Sequence, residues 1–267
     1  MKVNSLSAEE NYTGGVSAGP EDFTPEILYE DNHLLFVNKP AGMLTQADAS
    51  GRTSLLEHLK SYIKTRDNKP GNVYLGMVQR LDKPVSGLLV FAKTSKGAGR
   101  ISEQIRERRL SKCYLAVTAA GPDDNPSRDG EAEDWRLVSH RLSRVKDLSF
   151  VDDDISKGQT ATLKLKTLLV NGELGVHAVR LITGRKHQIR AQLAALARPI
   201  CGDHKYGSAV KAQSGRILLH SYRIRLLHPT KKTSLEVLCP PPVELFASFS
   251  AGEREVILAA LKKLWVS

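Results

Sequence analysis

The sequence has few cysteines, and their spacing fits neither a metal site nor a disulfide framework. Cys113, Cys201 and Cys239 lie far apart, and no two of them have the C-x-x-C spacing that zinc sites and redox motifs use. A small, odd number of cysteines is typical of a reducing compartment. We therefore expect a cytoplasmic protein with no bound metal.

Long apolar runs and nucleotide-binding loops are also lacking. No apolar run approaches the roughly 20 residues that a membrane-spanning helix needs, and the N-terminal residues lack the apolar segment of a secretory signal. The sequence contains no Walker A loop and no G-x-G-x-x-G fingerprint. These absences predict no membrane partner and no cofactor.

Acidic residues are in deficit. The 267 residues include 29 Asp and Glu against 39 Lys and Arg, which gives a formal net charge of +10. A basic balance favours polyanionic partners such as nucleic acids. Because many basic proteins bind no nucleic acid, the charge alone leaves the partner open.

The order of the predicted elements indicates the fold class. Residues 1–24 are polar and lack apolar periodicity, which predicts a disordered or loosely attached arm. Residues 25–267 read as one domain, in which strands and helices alternate without a regular βαβ rhythm. This order predicts an α+β fold with a mixed, mainly antiparallel central sheet flanked by helices and loops.

Apolar periodicity places the individual elements. Leu163, Leu165, Thr167 and Leu169 are predicted to face inward on one strand. Val256 belongs to the predicted apolar stripe of the C-terminal helix. Strands are predicted at 34–37, 87–92, 113–117, 163–169, 176–182 and 218–227, and a surface loop at 121–134. A capping box of Ser54 and Glu57 predicts a helix whose inward residues are Leu55, Leu59 and Ile63, and Ser95 is predicted to cap the next helix. Further helices are predicted at 185–197 and 251–264.

Asp82 is the first candidate functional residue. It lies before the predicted strand 87–92 and is followed by Lys-Pro-Val-Ser-Gly. One interpretation is a turn residue that bonds its own backbone. The other is a catalytic carboxylate that a rigid turn holds at the mouth of a sheet, where functional groups concentrate.

Two later stretches also carry unusual polar groups. In 183–190, Arg185, Lys186, His187 and Arg190 open the predicted helix, although cations are disfavoured at a helix N-terminus. This conflict favours phosphate binding by Arg185 and Lys186 over a solvated basic face, with His187 as a hydrogen-bonding partner. In 202–207, Tyr206 reads as a core residue.

These stretches together resemble the RluA-type family of bacterial RNA pseudouridine synthases in content and in order between Ile27 and Leu238. A single motif of this kind is weak, whereas several in the same order are specific. The matching segments are Glu30–His33 followed by Val37–Gly42, Arg80–Asp82 through Ser86–Thr94, Lys112–Tyr114, Thr183–Arg185 with His187–Arg190, Pro199–Asp203 with Tyr206–Gly207, Leu219–His220 and His228–Pro229.

The resemblance implies the pseudouridine synthase fold and the isomerisation of specific uridines to pseudouridine in tRNA or rRNA. It implies that Asp82 is the catalytic carboxylate and that Arg190 is its ion-pair partner. Tyr114 is implied as the active-site tyrosine that stacks on the uracil and accepts the C5 proton.

The same resemblance implies residues that contact the RNA. Arg80 would fill the stack vacated by the flipped base or clamp the backbone, and Leu219 would form an apolar wall under the base. The remaining implied RNA-binding residues are Arg185, Lys186, His187 and Gln188. Structured RNA is the expected partner, and a monomer without an obligate protein partner is the expected state.

The match has departures, and other functions stay open. Gln79 stands where the family often has His, and Val85 where it often has Thr. The family's frequent S4 RNA-binding module does not precede Ile27. A non-catalytic RNA-binding or chaperone protein on the same fold is the main alternative. A glycosylase or a hydrolase is a further one, whereas a zinc deaminase would need H-x-E and P-C-x-x-C motifs that are missing.

Overall fold

A computed structural model of the chain describes residues 23–49, 51–121, 135–152, 154, 156–212 and 216–264. Most of the predicted N-terminal arm and of the predicted loop 121–134 lies outside these ranges. Eleven strands of the described residues form one sheet, in the order β1-β2-β4-β10-β5-β9-β8-β6-β7, with β3 also paired to β4 and β11 to β10. The strands are β1 Glu26–Glu30, β2 Leu34–Lys39, β3 Gly76–Met77, β4 Ser86–Ala92, β5 Ser111–Ala119, β6 Arg136–Val145, β7 Leu148–Val151, β8 Gln159–Val170, β9 Leu174–Leu181, β10 Leu219–Leu227 and β11 Ser234–Leu238.

One seam of the sheet is parallel, and it lies at the centre. β4 pairs in parallel with β10 through Ser86 opposite His220 and Gly87 opposite Ser221, while the other strand pairings are antiparallel. Because parallel strands begin at the same edge of a sheet, the segments that lead into β4 and β10 meet there. The predicted mixed, mainly antiparallel sheet is confirmed.

Four helices of the described residues flank the sheet, namely α1 Leu55–Arg66, α2 Ser95–Arg106, α3 Gln188–Ala195 and α4 Ala251–Lys263. Ser54 and Glu57 form the predicted capping box at the start of α1. The cap of α2 is Thr94, whose hydroxyl accepts from the Gly97 amide, so the prediction of Ser95 as the cap was wrong. Within the described ranges, no helix has the length and apolar character needed to cross a membrane.

The side chains of β5 show how the two faces of the sheet are covered. Tyr114 and Ala116 pack in a cluster with α1 and α3. Cys113, Leu115 and Val117 point to the opposite face and pack against α4. The predicted inward positions of α1, Leu55, Leu59 and Ile63, are fully buried. This two-sided burial follows from the alternation of side chains along a strand.

Three predictions from periodicity were wrong. The alternation in β8 breaks at a bulge between Thr167 and Leu169, so Leu168 is the buried residue and Leu169 is only partly buried. Val256 of α4 is 54% exposed, because the adjacent Ile257 takes the inward position. The helix predicted at 185–197 spans only Gln188–Ala195, which leaves the cations before it in a loop.

A substitution at Gly87 tests the close approach of β4 and β10 in the parallel seam. Its φ is +109°, and a Cβ atom there would lie 2.4 Å from the Ser221 carbonyl oxygen. We expect Gly87→Ala to lower the free energy of unfolding by about 3 kcal/mol or more, since backbone strain and a steric clash combine. Gly172→Ala is the control, because its φ is +91° but no atom lies within 4 Å of the added Cβ. We expect that change to cost about 1 kcal/mol in urea denaturation, and equal costs at the two sites would contradict this account of the seam.

Candidate active site

A cleft of about 400 Å³ opens where the segments before β4 and β10 meet. All the predicted site residues except Lys186 line it. The lining residues are Arg80, Leu81, Asp82, Val85, Tyr114, Leu181, Arg185, His187, Gln188, Ile189, Arg190 and Leu219.

A tight turn before β4 positions Asp82. The Val85 amide donates to the Asp82 carbonyl at 3.1 Å, so the predicted turn is present. The Asp82 carboxylate takes no part in it and is free to point into the cleft. Two neighbouring contacts fix the turn: the Thr45 hydroxyl donates to the Leu81 carbonyl at 2.9 Å, and the Gly42 amide donates to the Lys83 carbonyl at 2.7 Å.

A buried lysine also braces this turn. Lys39 is fully buried at the end of β2, and its ammonium group donates to the carbonyls of Pro40, Met43 and Lys83 at 2.9, 2.9 and 3.2 Å. Burial lowers the pKa of Lys39 to about 7, against the opposing charge of Asp82. Sequence reasoning placed Lys39 only at the end of a strand and missed this role.

Arg190 joins two carboxylates. Its Nη1 atom lies 3.0 Å from Asp82 Oδ2, so the predicted ion pair is present. On its other edge, Nε and Nη2 donate to the two oxygens of Asp203 at 2.6 and 2.8 Å. Burial alone would lower the pKa of Arg190, but Asp203 and Asp82 together raise it. Since the guanidinium plane is held on both edges, its orientation toward Asp82 is fixed.

The two carboxylate oxygens of Asp82 differ in their contacts. Arg190 and His187 Nε2 both approach Oδ2, the latter at 3.5 Å. Among the described residues, no donor lies within hydrogen-bond distance of Oδ1. The Asp82 side chain is 30% exposed. The carboxylate therefore presents one unoccupied oxygen to a substrate in the cleft.

A hydrogen-bond chain orients His187. The Tyr206 hydroxyl accepts from the Ser149 amide at 3.1 Å and lies 2.9 Å from His187 Nδ1. We infer that the Tyr206 hydroxyl donates to Nδ1 and that the ring proton of His187 sits on Nε2, toward Asp82. Burial lowers the pKa of His187 to about 4, although Asp82 opposes the shift. His187 has a left-handed backbone, with φ of 52°.

Tyr206 is a member of the site and not only the core residue that its sequence context suggested. Its ring carries the Arg190 guanidinium at 4.9 Å from the ring centroid, an attractive cation–π geometry. Asp203 and Tyr206 both come from 202–207, a stretch rich in turn residues, and their partners lie on α3 and in the loop before it. No local pattern could have predicted that pairing.

Apolar residues and one tyrosine form the wall of the cleft. Tyr114 lies on β5 opposite Ser221 of β10 and is 6% exposed. Burial raises the pKa of Tyr114, although a hydrogen bond with Ser221 opposes the shift. Leu219 and Leu181 continue the wall, so the cleft offers an apolar surface beside a single free carboxylate oxygen.

The residues in and next to the loop before α3 differ from the prediction in their burial and contacts. Gln188 is 3% exposed, and its side chain accepts from the Thr183 hydroxyl and the Arg185 amide at 2.8 and 3.0 Å. This burial argues against the predicted RNA contact and assigns Gln188 to shaping the loop. Arg185 is exposed at the rim, whereas Lys186 pairs with Asp147 at 2.9 Å outside the cleft lining.

Comparison with known proteins identifies the family. The family described as RNA pseudouridylate synthase matches residues 33–195. An uncharacterized RNA pseudouridine synthase of Bacillus subtilis is 32% identical over 235 residues, which cover 85% of this chain and 72% of the relative. A tRNA pseudouridine synthase C of Pasteurella multocida is 32% identical over 233 residues, or 80% and 90% of the two chains. A ribosomal large subunit pseudouridine synthase D of Zymomonas mobilis is 31% identical, with 85% and 73% covered.

Solved structures support the fold. The human RNA pseudouridylate synthase domain containing 1 has a TM-score of 0.67 to this chain at 22% identity, with 94% of this chain and 98% of that chain covered. The sequence matches show that the chain belongs to the RNA pseudouridylate synthase family, which comprises isomerases that act on RNA. The predicted resemblance and fold class are confirmed.

The two carboxylates that contact Arg190 differ in their expected contribution to stability. Asp203 is 1% exposed and makes two short bonds, so Asp203→Asn should lower the free energy of unfolding by about 3–5 kcal/mol. Asp82 is more exposed and makes one bond, so Asp82→Asn should cost less than about 1 kcal/mol. Urea denaturation of both variants tests this order, which a larger loss for Asp82→Asn would contradict.

His187 should give the protein a pH-dependent stability. Its folded-state pKa of about 4 lies below the ordinary 6.5, so the unfolded chain binds the proton first as the pH falls. The stability contribution is complete above pH 6.5 and is lost toward pH 4. His187→Asn, which tolerates the left-handed backbone, should flatten the slope of unfolding free energy in this window by up to about 1.4 kcal/mol per pH unit. Parallel curves for the two proteins would contradict the assignment.

Proposed function

We propose that the chain converts specific uridines of tRNA or rRNA to pseudouridine with Asp82 as its catalytic carboxylate. The observation that carries the proposal is the free Oδ1 of Asp82, which faces a cleft walled by Tyr114 and Leu219 while Arg190 fixes Oδ2. Relatives named as tRNA and as ribosomal large subunit pseudouridine synthases support both RNA classes as candidate substrates.

The reaction needs few chemical groups. The C1′–N1 glycosidic bond breaks, the uracil turns, and a C1′–C5 bond forms, while N1 gains a proton and C5 loses one to solvent. No electron or phosphoryl group is transferred. A carboxylate beside the sugar and the base can add covalently or stabilise the cationic sugar that the departing base leaves. We assign this role to Oδ1 of Asp82, because Arg190 contacts only Oδ2.

Tyr114 and Leu219 suit the uracil itself. An aromatic ring and an aliphatic side chain on adjacent strands can hold a flat base between them. Burial raises the pKa of Tyr114, which favours the neutral phenol in the empty site. We therefore assign the Tyr114 ring to stacking, and this places less weight on the predicted transfer of the C5 proton to its hydroxyl.

The rim of the cleft suits the RNA strand. Arg80 and Arg185 are exposed and line the opening. Extracting a base from a helical stem costs a few kcal/mol, and a guanidinium can stack in the vacated position or hold a phosphate. We assign Arg80 to the vacated stack and Arg185 to the backbone. His187 faces Asp82 and Tyr206, which favours a positioning role over an RNA contact.

A purely RNA-binding protein would make poor use of this site. A free carboxylate oxygen beside a polyanion weakens binding, and the buried network behind it adds nothing to RNA affinity.

We also propose that the chain acts as a cytoplasmic monomer. The three cysteines are buried and free, which suits a reducing compartment.

Tritium release tests the reaction. Transcribed tRNA and rRNA pools labelled with tritium at uracil C5 should lose label to water when the protein is added, because C5 becomes the glycosidic carbon. Asp82→Asn should abolish release, whereas Asp67→Asn, an exposed carboxylate at the end of α1, should leave it unchanged. Wild-type turnover by Asp82→Asn would refute the assignment. No release from either pool, with RNA binding intact, would support the binding-only alternative.

A further inference from the structure

Lys112 is a partly buried cation that the proposed mechanism does not use. It lies near the start of β5, two residues before Tyr114. Burial lowers the pKa of Lys112, and no carboxylate or carbonyl contributes an opposing effect. Within the part of the chain that the structure describes, no acceptor lies within hydrogen-bond distance of its ammonium group.

Lys39 shows what the fold does with a structural buried lysine. Its ammonium group donates to three backbone carbonyls, which satisfies the hydrogen-bonding capacity of that group. Lys112 has no such arrangement among the described residues, and its side chain is only partly buried. An ammonium group that water can reach and that no protein acceptor occupies is open to an anionic ligand.

The position of Lys112 places that ligand beside the cleft. Side chains two residues apart on a strand share a face and lie about 7 Å apart, so Lys112 continues the row that begins with Tyr114. Its cross-strand neighbour on β9 is Leu181, which lines the cleft. The ammonium group therefore lies just outside the wall that would hold the uracil.

Gly184 keeps this position accessible. A Cβ atom at residue 184 would lie 3.5 Å from the Lys112 ammonium nitrogen, and no other atom lies within 4 Å of it. The backbone of Gly184 does not have a positive φ, so its conformation does not require glycine. A longer side chain at this exposed position would lie over the ammonium group. The next residue, Arg185, adds a second cation at the same rim.

We propose that Lys112 binds a backbone phosphate of the RNA strand next to the uridine that enters the cleft. A compact ammonium group suits a phosphate oxygen, and the phosphate supplies the acceptor that the protein lacks. The inference rests on the proposed function only in taking RNA as the ligand. It makes Lys112 a substrate-binding residue and assigns it no part in the chemistry.

The salt dependence of RNA binding tests this proposal. Dissociation constants would be measured from 50 to 300 mM KCl on unmodified, transcribed tRNA and rRNA pools. Lys112→Gln should weaken binding about tenfold and reduce the slope of log affinity against log salt by about 0.7–0.9. Lys112→Arg should retain both values. Lys164→Gln is the matched control. Its neighbours Leu163 and Leu165 are buried, so Lys164 points to the opposite face of β8. This change should alter affinity less than about twofold.

Three further readouts separate the proposal from other roles. At saturating RNA, Lys112→Gln should retain its rate of tritium release, and a lost rate with unchanged affinity would overturn the proposal in favour of chemistry. Lys112→Met should melt close to or above the wild-type temperature, because the change removes no hydrogen bond or ion pair of the protein. A clearly lower melting temperature would show that Lys112 is a structural residue. A loss of RNA affinity in Lys112→Arg would lead to the same conclusion. The binding measurement does not depend on tritium release. It can therefore contradict the proposed role of Lys112 without contradicting the proposed reaction.

Discussion

The site depends on one arginine that is shared by two carboxylates. Asp203 is buried and holds two donors of Arg190, which leaves Nη1 to meet Asp82 at 3.0 Å. Because the stronger pair fixes the guanidinium plane, the weaker pair can orient an exposed carboxylate without burying it. Asp203 thereby provides the stable buried ion pair, and Asp82 provides the exposed oxygen that we propose to be catalytic. Tyr206 reinforces the arrangement by lying against the same guanidinium.

The central parallel seam brings this network to the substrate. The turn that carries Asp82 leads into β4, Leu219 begins β10, and Tyr114 lies on the next strand. Gly87 permits the close approach of β4 and β10. Around the cleft, His187 has a left-handed backbone, and neither Oδ1 of Asp82 nor the Lys112 ammonium group has a hydrogen-bond partner among the described residues. Such local conflicts are typical of functional sites, where the ligand completes what the protein leaves open.

The sequence alone predicted the elements with strong local patterns and the residues within recognisable motifs. Leu55, Leu59 and Ile63 show the inward stripe of α1, and the apolar run 87–92 marks β4. Asp203, in contrast, acts through a contact with Arg190 across two separate elements, and Lys39 acts through backbone carbonyls that no pattern displays. The bulge at Leu168 reverses an alternation that was regular up to that point. In each case tertiary contacts decide the outcome, and local propensity does not contain them.

Replacing Arg190 by lysine tests the shared-arginine account most directly. Lysine keeps the charge but cannot bridge two carboxylates with fixed geometry. The measurement is the single-turnover rate of tritium release from labelled RNA, together with the RNA dissociation constant of the same variant. The account predicts a rate loss of about 100-fold or more, in line with the loss of one preorganised group, and an affinity within about threefold of wild type, since Arg190 is buried behind Asp82. An unchanged rate, or a loss of affinity as large as the loss of rate, would contradict it.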